Sequence, residues 1–101
     1  MAVLRKKLNT KDIGKKLKKI SEWSVNAKQT ELSKTFLFSN FVNGLAFVAK
    51  VTVHAEVMGH HPELELSYGK VKVKLTTHDA KGLTNSDFDL AKKIDGLRVG
   101  Q

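Results

Sequence analysis

The chain contains no cysteine and only one proline among its 101 residues. Without cysteine there can be no disulfide, no thiolate-ligated zinc and no cysteine nucleophile, and a cytoplasmic protein is the natural expectation. The first 20 residues have no apolar run as long as a signal peptide or membrane span, so we expect neither. Phosphate-binding G-x-x-x-x-G-K-[ST], dinucleotide-binding G-x-G-x-x-G and hydrolase G-x-S-x-G motifs are also missing.

The length and an apolar fraction of 41% predict one compact domain of residues 1–101. Residues 1–20 hold eight Lys and Arg against one Asp, a net +7 of the chain's +8. We predict a basic amino-terminal helix here, because four lysines alternate with apolar residues at helical spacing: Lys15, Lys16, Lys18 and Lys19. A solvated helix face is favoured, and contact with nucleic acid or an acidic protein stays open.

The first third of the chain predicts a helix followed by a hairpin. Thr10 is the expected N-cap of the helix, which ends before Trp23. Residues 23–28 alternate as a strand, and residues 31–38 (ELSKTFLF) form its partner after a short turn.

The stretch from 39 to 59 predicts one long helix, with capping residues at its start and Gly59 at its end. Between residues 49 and 57, however, valine and alanine alternate with polar residues, a pattern that fits a strand equally well. Length and caps favour the helix, while the β-branched valines do not.

The remainder predicts a second hairpin, with strands at 63–68 and 70–75, and a last helix. Thr84 and Asp87 resemble a capping box for this helix. The order is α-β-β-α-β-β-α. Strand pairs separated by a helix predict an α+β fold, a four-stranded antiparallel sheet with helices packed on one face.

Histidine is the chemically informative residue type. His60 and His61 are adjacent and can share a site only where the backbone turns between them, which Pro62 helps to fix. We expect His78 at the end of the fourth strand, where it can meet them in one cleft. Imidazoles transfer protons at cellular pH, so acid–base chemistry is favoured. Three histidines with Glu56 could instead ligate zinc, although the HExxH spacing is missing.

The residues around these histidines resemble the signature of the pterin-4a-carbinolamine dehydratase family. The matching features are E-x3-HHP from Glu56 to Pro62, Tyr68, THDAKGLT from 77 to 84, and Asp87. The resemblance reaches from Trp23 through FLFSNF to Asp95, within a core of residues 21–98. It departs at Gly59, where the family usually carries Asp or Asn.

The resemblance implies dehydration of 4a-hydroxytetrahydrobiopterin, or a related 4a-hydroxytetrahydropterin, to the quinonoid dihydropterin plus water. It implies that His60 and His78 transfer protons and that His61 chiefly positions substrate. Glu56 and Asp87 would orient the imidazoles or the pterin, although the capping box alone also explains Asp87. The implied substrate contacts are His60, His61, Pro62, Thr77, His78, Asp79 and Ala80.

This reaction requires no metal, nucleotide or redox cofactor, so we predict none. The alternative is a non-catalytic protein- or nucleic-acid-binding module on the same fold, because the resembled family also serves as dimerisation partners of transcription factors. The long helix is apolar on more than one side and predicts a homodimer or homotetramer. His54 is assigned no role.

Overall fold

A computed structural model describes residues 5–99 and has the predicted order of elements. The helices are α1 (Thr10–Leu17), α2 (Phe41–Met58) and α3 (Asn85–Asp95). The strands are β1 (Ser24–Val25), β2 (Leu32–Leu37), β3 (Glu63–Ser67) and β4 (Lys70–Leu75). A 3₁₀ turn, His78–Ala80, lies between β4 and α3. Residues 1–4 of the predicted basic helix and residues 100–101 of the predicted domain lie outside the described residues.

The four strands form one antiparallel sheet in the order β1-β2-β4-β3. Strand β4 is internal, and its alternation sorts its side chains between the two faces. Val71, Val73 and Leu75 are fully buried on the helical side, while Lys70 and Lys72 are exposed on the other. The α+β fold predicted from the sequence is therefore confirmed.

Helix α2 packs on the sheet, so the alternative of a strand at 49–57 is wrong. Its buried residues Phe47, Val51 and Ala55 recur every four positions and enter the core as one stripe. Asn40 caps the amino end with its side chain, and Gly59 ends the helix in the left-handed region at φ 62°. Sequence periodicity fitted a helix and a strand equally well at residues 49–57, and the burial of one helical stripe shows that this segment is a helix.

The other side of α2 is exposed and apolar. We call it the open face of α2, and it consists of Phe41, Val42, Leu45, Val53 and Val57. By length and composition alone α2 could also cross a membrane. Its buried stripe nevertheless lies in the core of the domain, as expected for a core helix.

Three predicted boundaries are wrong by a few residues. Of the basic helix predicted over residues 1–20, only Thr10–Leu17 is α-helical, and the described residues 5–9 and 18–20 are not. Asn9, not Thr10, caps α1, because the Asn9 side chain accepts a hydrogen bond from the Asp12 N–H at 2.8 Å. Strand β1 is limited to Ser24–Val25. The Asn26 side chain accepts the backbone N–H groups of the turn that follows, which ends the pairing with β2 early.

The predicted position of His78 is also wrong. Strand β4 ends at Leu75, and His78 begins the 3₁₀ turn three residues later. The capping box of α3 is present as predicted, with Thr84 and Asp87 bonding reciprocally.

Candidate active site

A cleft of about 190 Å³ opens where the carboxyl end of α2 meets the 3₁₀ turn. Three separate parts of the chain contribute to it: the amino-terminal segment, the joint between α2 and β3, and the segment after β4. The lining residues are Arg5, Gly59, His60, His61, Thr76, Thr77, His78 and Asp79. The three histidines selected from the sequence thus lie around one cleft.

The joint between α2 and β3 sends its two histidines in different directions. Gly59 turns the chain, and the backbone N–H of His60 closes the helix by donating to the carbonyl of Ala55 at 3.0 Å. The His60 side chain then points inward and is 4% exposed, whereas that of His61 is 68% exposed. The cleft therefore has one imidazole in its floor and another at its rim.

His60 is held by the carboxylate of Asp87. The His60 Nε2 atom lies 2.5 Å from Asp87 Oδ1, and both side chains are buried. An ionised carboxylate accepts hydrogen bonds but cannot donate them, so Nε2 carries the hydrogen in this contact. The other ring nitrogen, Nδ1, lies 3.4 Å from Nη1 of the cleft residue Arg5, and because arginine only donates, Nδ1 is the acceptor in that contact. A ring held in this way can accept a proton from a bound ligand.

Asp87 is satisfied at its second oxygen as well. Oδ2 accepts from the hydroxyl of Thr77 at 2.8 Å and from the backbone N–H of Thr84 at 2.9 Å. The two threonine hydroxyls also lie 2.8 Å apart. Burying a carboxylate is costly unless its oxygens are bonded, and here both are. The same side chain therefore both caps α3 and contacts His60.

Glu56 contacts His61 rather than His60. Its Oε1 atom is 3.1 Å from His61 Nε2, and both side chains are about 70% exposed. Water competes with such a contact, which orients the imidazole only weakly.

The 3₁₀ turn brings His78 and Asp79 to the cleft as exposed side chains. Thr77 anchors the turn through two backbone hydrogen bonds with Gly82, of 3.1 and 3.4 Å. Thr77 also donates to Asp87, so one residue connects the 3₁₀ turn with the floor of the cleft.

Some of the predicted residues do not line this cleft. Pro62 and Ala80 adjoin lining residues but are absent from the cleft surface. Tyr68 lies in the turn after β3, at the opposite end of that strand from Pro62, and is 75% exposed. His54 is half-buried within α2 and is also outside the cleft.

Behind the rim, on the exposed side of the sheet, lies a smaller hollow. It is lined by Glu31, His61, Glu63, Lys74, Thr76 and His78. Lys74 bridges Glu65 at 2.9 Å and Glu63 at 3.3 Å. The hydrogen bond from Lys74 lowers the pKa of Glu65, and the same contacts raise the pKa of Lys74. In these exposed pairs the charge of Lys74 is balanced by glutamates on the wall of the hollow next to His61 and His78.

Sequence reasoning missed three lining residues: Arg5, Thr76 and Gly59, which was predicted only as the end of α2. Thr76 adjoins a predicted residue and donates to the carbonyl of Thr30 at 2.6 Å. Arg5 is one of several basic residues in its segment, and no local pattern distinguishes it. Among residues 5–99, no three His, Asp or Glu side chains are grouped so as to hold a metal ion.

Comparison of the sequence with known proteins identifies a matching family. The model of the family described as pterin 4 alpha carbinolamine dehydratase matches residues 6–97. A Sulfurisphaera tokodaii protein, provisionally named pterin-4-alpha-carbinolamine dehydratase, is 48% identical over 91% of this chain and 97% of its own. A Nostoc punctiforme protein with the same provisional name is 41% identical over 90% of this chain and 96% of its own.

Two solved structures are similar as well. One is a transcriptional coactivator/pterin dehydratase from Brucella melitensis, with TM-score 0.84 and 28% identity over 88% of this chain and 95% of that one. The other is a pterin dehydratase-like protein identified as a RuBisCO assembly factor in the alpha-carboxysome. It has TM-score 0.66 and 22% identity over 79% of this chain and 93% of that one, and shows similarity of fold alone.

Proposed function

We propose that this chain, which belongs to the pterin-4-alpha-carbinolamine dehydratase family, is a hydro-lyase that dehydrates a 4a-hydroxytetrahydropterin. The observation that carries the proposal is the buried pair of His60 and Asp87 in the floor of a cleft with exposed imidazoles at its rim. A dehydratase of this kind needs one group that accepts a proton and one that donates a proton, placed around a small ring.

In the reaction, the 4a-hydroxyl leaves as water and the hydrogen on N5 is lost, so that a C4a=N5 double bond forms. His60 is the base: its Nε2–H is bonded to Asp87, and its Nδ1 lone pair can take the proton from N5 when the substrate takes the place of the 3.4 Å contact with Arg5. His78, when protonated, is the acid that gives a proton to the departing hydroxyl. His60 gains one proton and His78 loses one, so the net charge of the protein does not change. Proton exchange with solvent then returns each imidazole to its starting form.

The remaining lining residues bind the substrate. His61 is exposed at the rim and is held only weakly by Glu56, which suits a group that adjusts to a ligand. Asp79 and the backbone around Thr77 offer hydrogen-bond acceptors for the ring N–H groups of a pterin. These roles need no bound cofactor, since proton transfer is sufficient to break the C4a–O and N5–H bonds.

The direct test is a dehydration assay with a chemically made 4a-hydroxytetrahydropterin. We expect wild-type protein to accelerate formation of the quinonoid dihydropterin far above the buffer rate. The control is an equal concentration of the folded His60→Ala/His78→Ala double variant. Folded wild-type protein that gives only the buffer rate would remove the proposal.

The open face of α2 favours a second candidate, a protein-binding function that begins with self-association. An exposed stripe of five apolar side chains is unusual for a monomer, and a second copy can cover it isologously. We therefore propose a homodimer or homotetramer formed through this face. Dehydration by wild-type protein would favour the enzyme, whereas oligomer formation without dehydration would favour the binding module.

Contact with nucleic acid through α1 and the turn that follows it is the remaining form of the binding hypothesis. Lys15, Lys16, Lys18 and Lys19 would supply it, and the affinity would be electrostatic. Replacing these four by Gln should then weaken any binding and its salt dependence together. Turnover should stay within a few fold, because none of the four lines the cleft.

A further inference from the structure

We infer that Arg5 is a positioning residue for His60, an assignment that rests on the dehydratase function proposed above. The two residues are 55 positions apart, yet Arg5 Nη1 lies 3.4 Å from His60 Nδ1. Arg5 Nη2 donates to the backbone carbonyls of Met58 at 3.0 Å and Gly59 at 3.3 Å. One guanidinium thus connects the ring of His60 with the backbone joint that carries it.

The amino-terminal segment is fixed to the body of the domain close to Arg5. The backbone N–H of Leu8 donates to the carbonyl of Leu83 at 2.8 Å. The stem of Lys7 covers Gly82 so closely that a Cβ atom there would lie 2.7 Å from Lys7 Cε. Both anchors lie on the loop between the 3₁₀ turn and α3. They hold Arg5 over the cleft, where it is half-buried.

Arg5 supplies a cation that the carboxyl end of α2 otherwise lacks. The last turn of this helix, residues 55–58, reads AEVM and contains no basic residue. Carbonyls at a helix carboxyl end lack intrahelical partners and carry partial negative charge, so a guanidinium is stabilised there. Gly59 has no side chain with which to hold the joint. Arg5 holds it instead, through two carbonyls at once.

The same contact fixes the state of the ring. Arginine can only donate hydrogen bonds, whereas an ionised carboxylate can only accept them. His60 lies between one of each, with Arg5 at Nδ1 and Asp87 at Nε2. The compatible ring is the neutral form with hydrogen on Nε2 and a lone pair on Nδ1. In that form Nδ1 can take a proton once the substrate takes the place of the long, 3.4 Å contact with Arg5 Nη1. Arg5 and Asp87 thus hold His60 in the form that a base requires before the substrate binds.

The test compares Arg5→Met with Lys6→Met. Lys6 is the next residue, is exposed and does not line the cleft, so its variant loses the same charge without the contact. The first readout is the ¹⁵N signature of His60 in long-range ¹H–¹⁵N spectra, assigned by its loss in His60→Gln. We expect the neutral Nε2–H pattern in wild type and Lys6→Met, and a mixture of ring forms in Arg5→Met.

The second readout is kinetic. We expect Arg5→Met to lower kcat about 10- to 100-fold with KM nearly unchanged, the range found for groups that orient metal-bound histidines through hydrogen bonds. Arg5→Lys should recover part of the loss, because an ammonium keeps the charge but lacks the fork that reaches the ring and the carbonyls together.

The outcomes separate this inference from the proposed function. An unchanged His60 signature in Arg5→Met, or equal loss of kcat in Lys6→Met, would overturn the role of Arg5 even if wild type is a dehydratase. An altered signature with unchanged kcat would also overturn it. If wild type proves inactive, the function fails, and the spectra alone still decide whether Arg5 sets the ring form of His60.

Discussion

Asp87 lies 2.5 Å from His60 although 27 residues separate them, and it also closes the capping box of α3. The start of a helix and the floor of the cleft therefore depend on one carboxylate. Because both of its oxygens are engaged, a change at Asp87 should affect activity and stability together.

We predict that Asp87→Asn lowers kcat about 10- to 100-fold, because an amide can no longer hold the Nε2–H of His60 with a full negative charge. It should also reduce the free energy of unfolding by about 1–3 kcal/mol, since an amide has one acceptor oxygen where the carboxylate has two, which leaves a buried donor without its partner. Steady-state kinetics and chemical denaturation measure the two effects. Asp89→Asn, on the exposed side of α3, is the matched control and should change neither. Retention of full kcat in Asp87→Asn would show that the carboxylate is only a cap.

Glu56 should matter much less than Asp87, although the family resemblance assigns both an orienting role. Its contact with His61 is exposed, and exposed ion pairs are worth about 0–1 kcal/mol. We therefore expect Glu56→Gln to change kcat/KM by less than about 5-fold. A larger loss in kcat/KM, with circular dichroism unchanged, would mean that Glu56 contacts the substrate itself.

The open face of α2 predicts a specific effect on assembly. Leu45→Asp and Val53→Asp should convert the oligomer into a smaller species, because a carboxylate would be buried without a partner in the interface. The fold should survive, since both positions are exposed in the single chain. Thr35→Asp on the exposed side of the sheet makes the same charge change and serves as the control. Sedimentation equilibrium measures the mass, and an unchanged oligomer would place the interface elsewhere.

We also predict that activity is independent of metal. Purified protein should contain no stoichiometric zinc, and chelator treatment should leave the rate of dehydration unchanged. Elemental analysis and an assay after chelation check this. Near-equimolar metal whose removal abolishes activity would replace acid–base catalysis by metal-assisted chemistry.

Most of the architecture could be predicted because local signals agreed with it. The second hairpin follows from period-2 alternation around Gly69, and the caps Asn40 and Gly59 delimit α2 correctly. The choice between helix and strand at 49–57 could not be made from periodicity, because only burial against the sheet separates the two. The cap of α1 was misplaced by one residue, since Asn9 and Thr10 are both good capping residues.

The site was predictable where its residues are adjacent in sequence and unpredictable where they are not. His60, His61, Thr77, His78 and Asp79 belong to short motifs, and all five line the cleft. Arg5 is held at the cleft by contacts of its neighbours Lys7 and Leu8 with a loop far away in sequence. No local sequence pattern predicts such contacts. The catalytic roles and the cytoplasmic location stay predictions.

The most direct measurement is kcat for His60→Ala and His78→Ala with both epimers of a 4a-hydroxytetrahydropterin, beside His61→Ala. Losing an acid or a base costs about 10²- to 10⁴-fold in rate, whereas losing a contact equal in ground and transition states raises KM. We expect lower kcat with both epimers for His60→Ala, which loses the base, and for His78→Ala, which loses the acid. For His61→Ala we expect KM to rise more than kcat falls. Folded His60→Ala and His78→Ala proteins that keep wild-type kcat on both epimers would contradict the account.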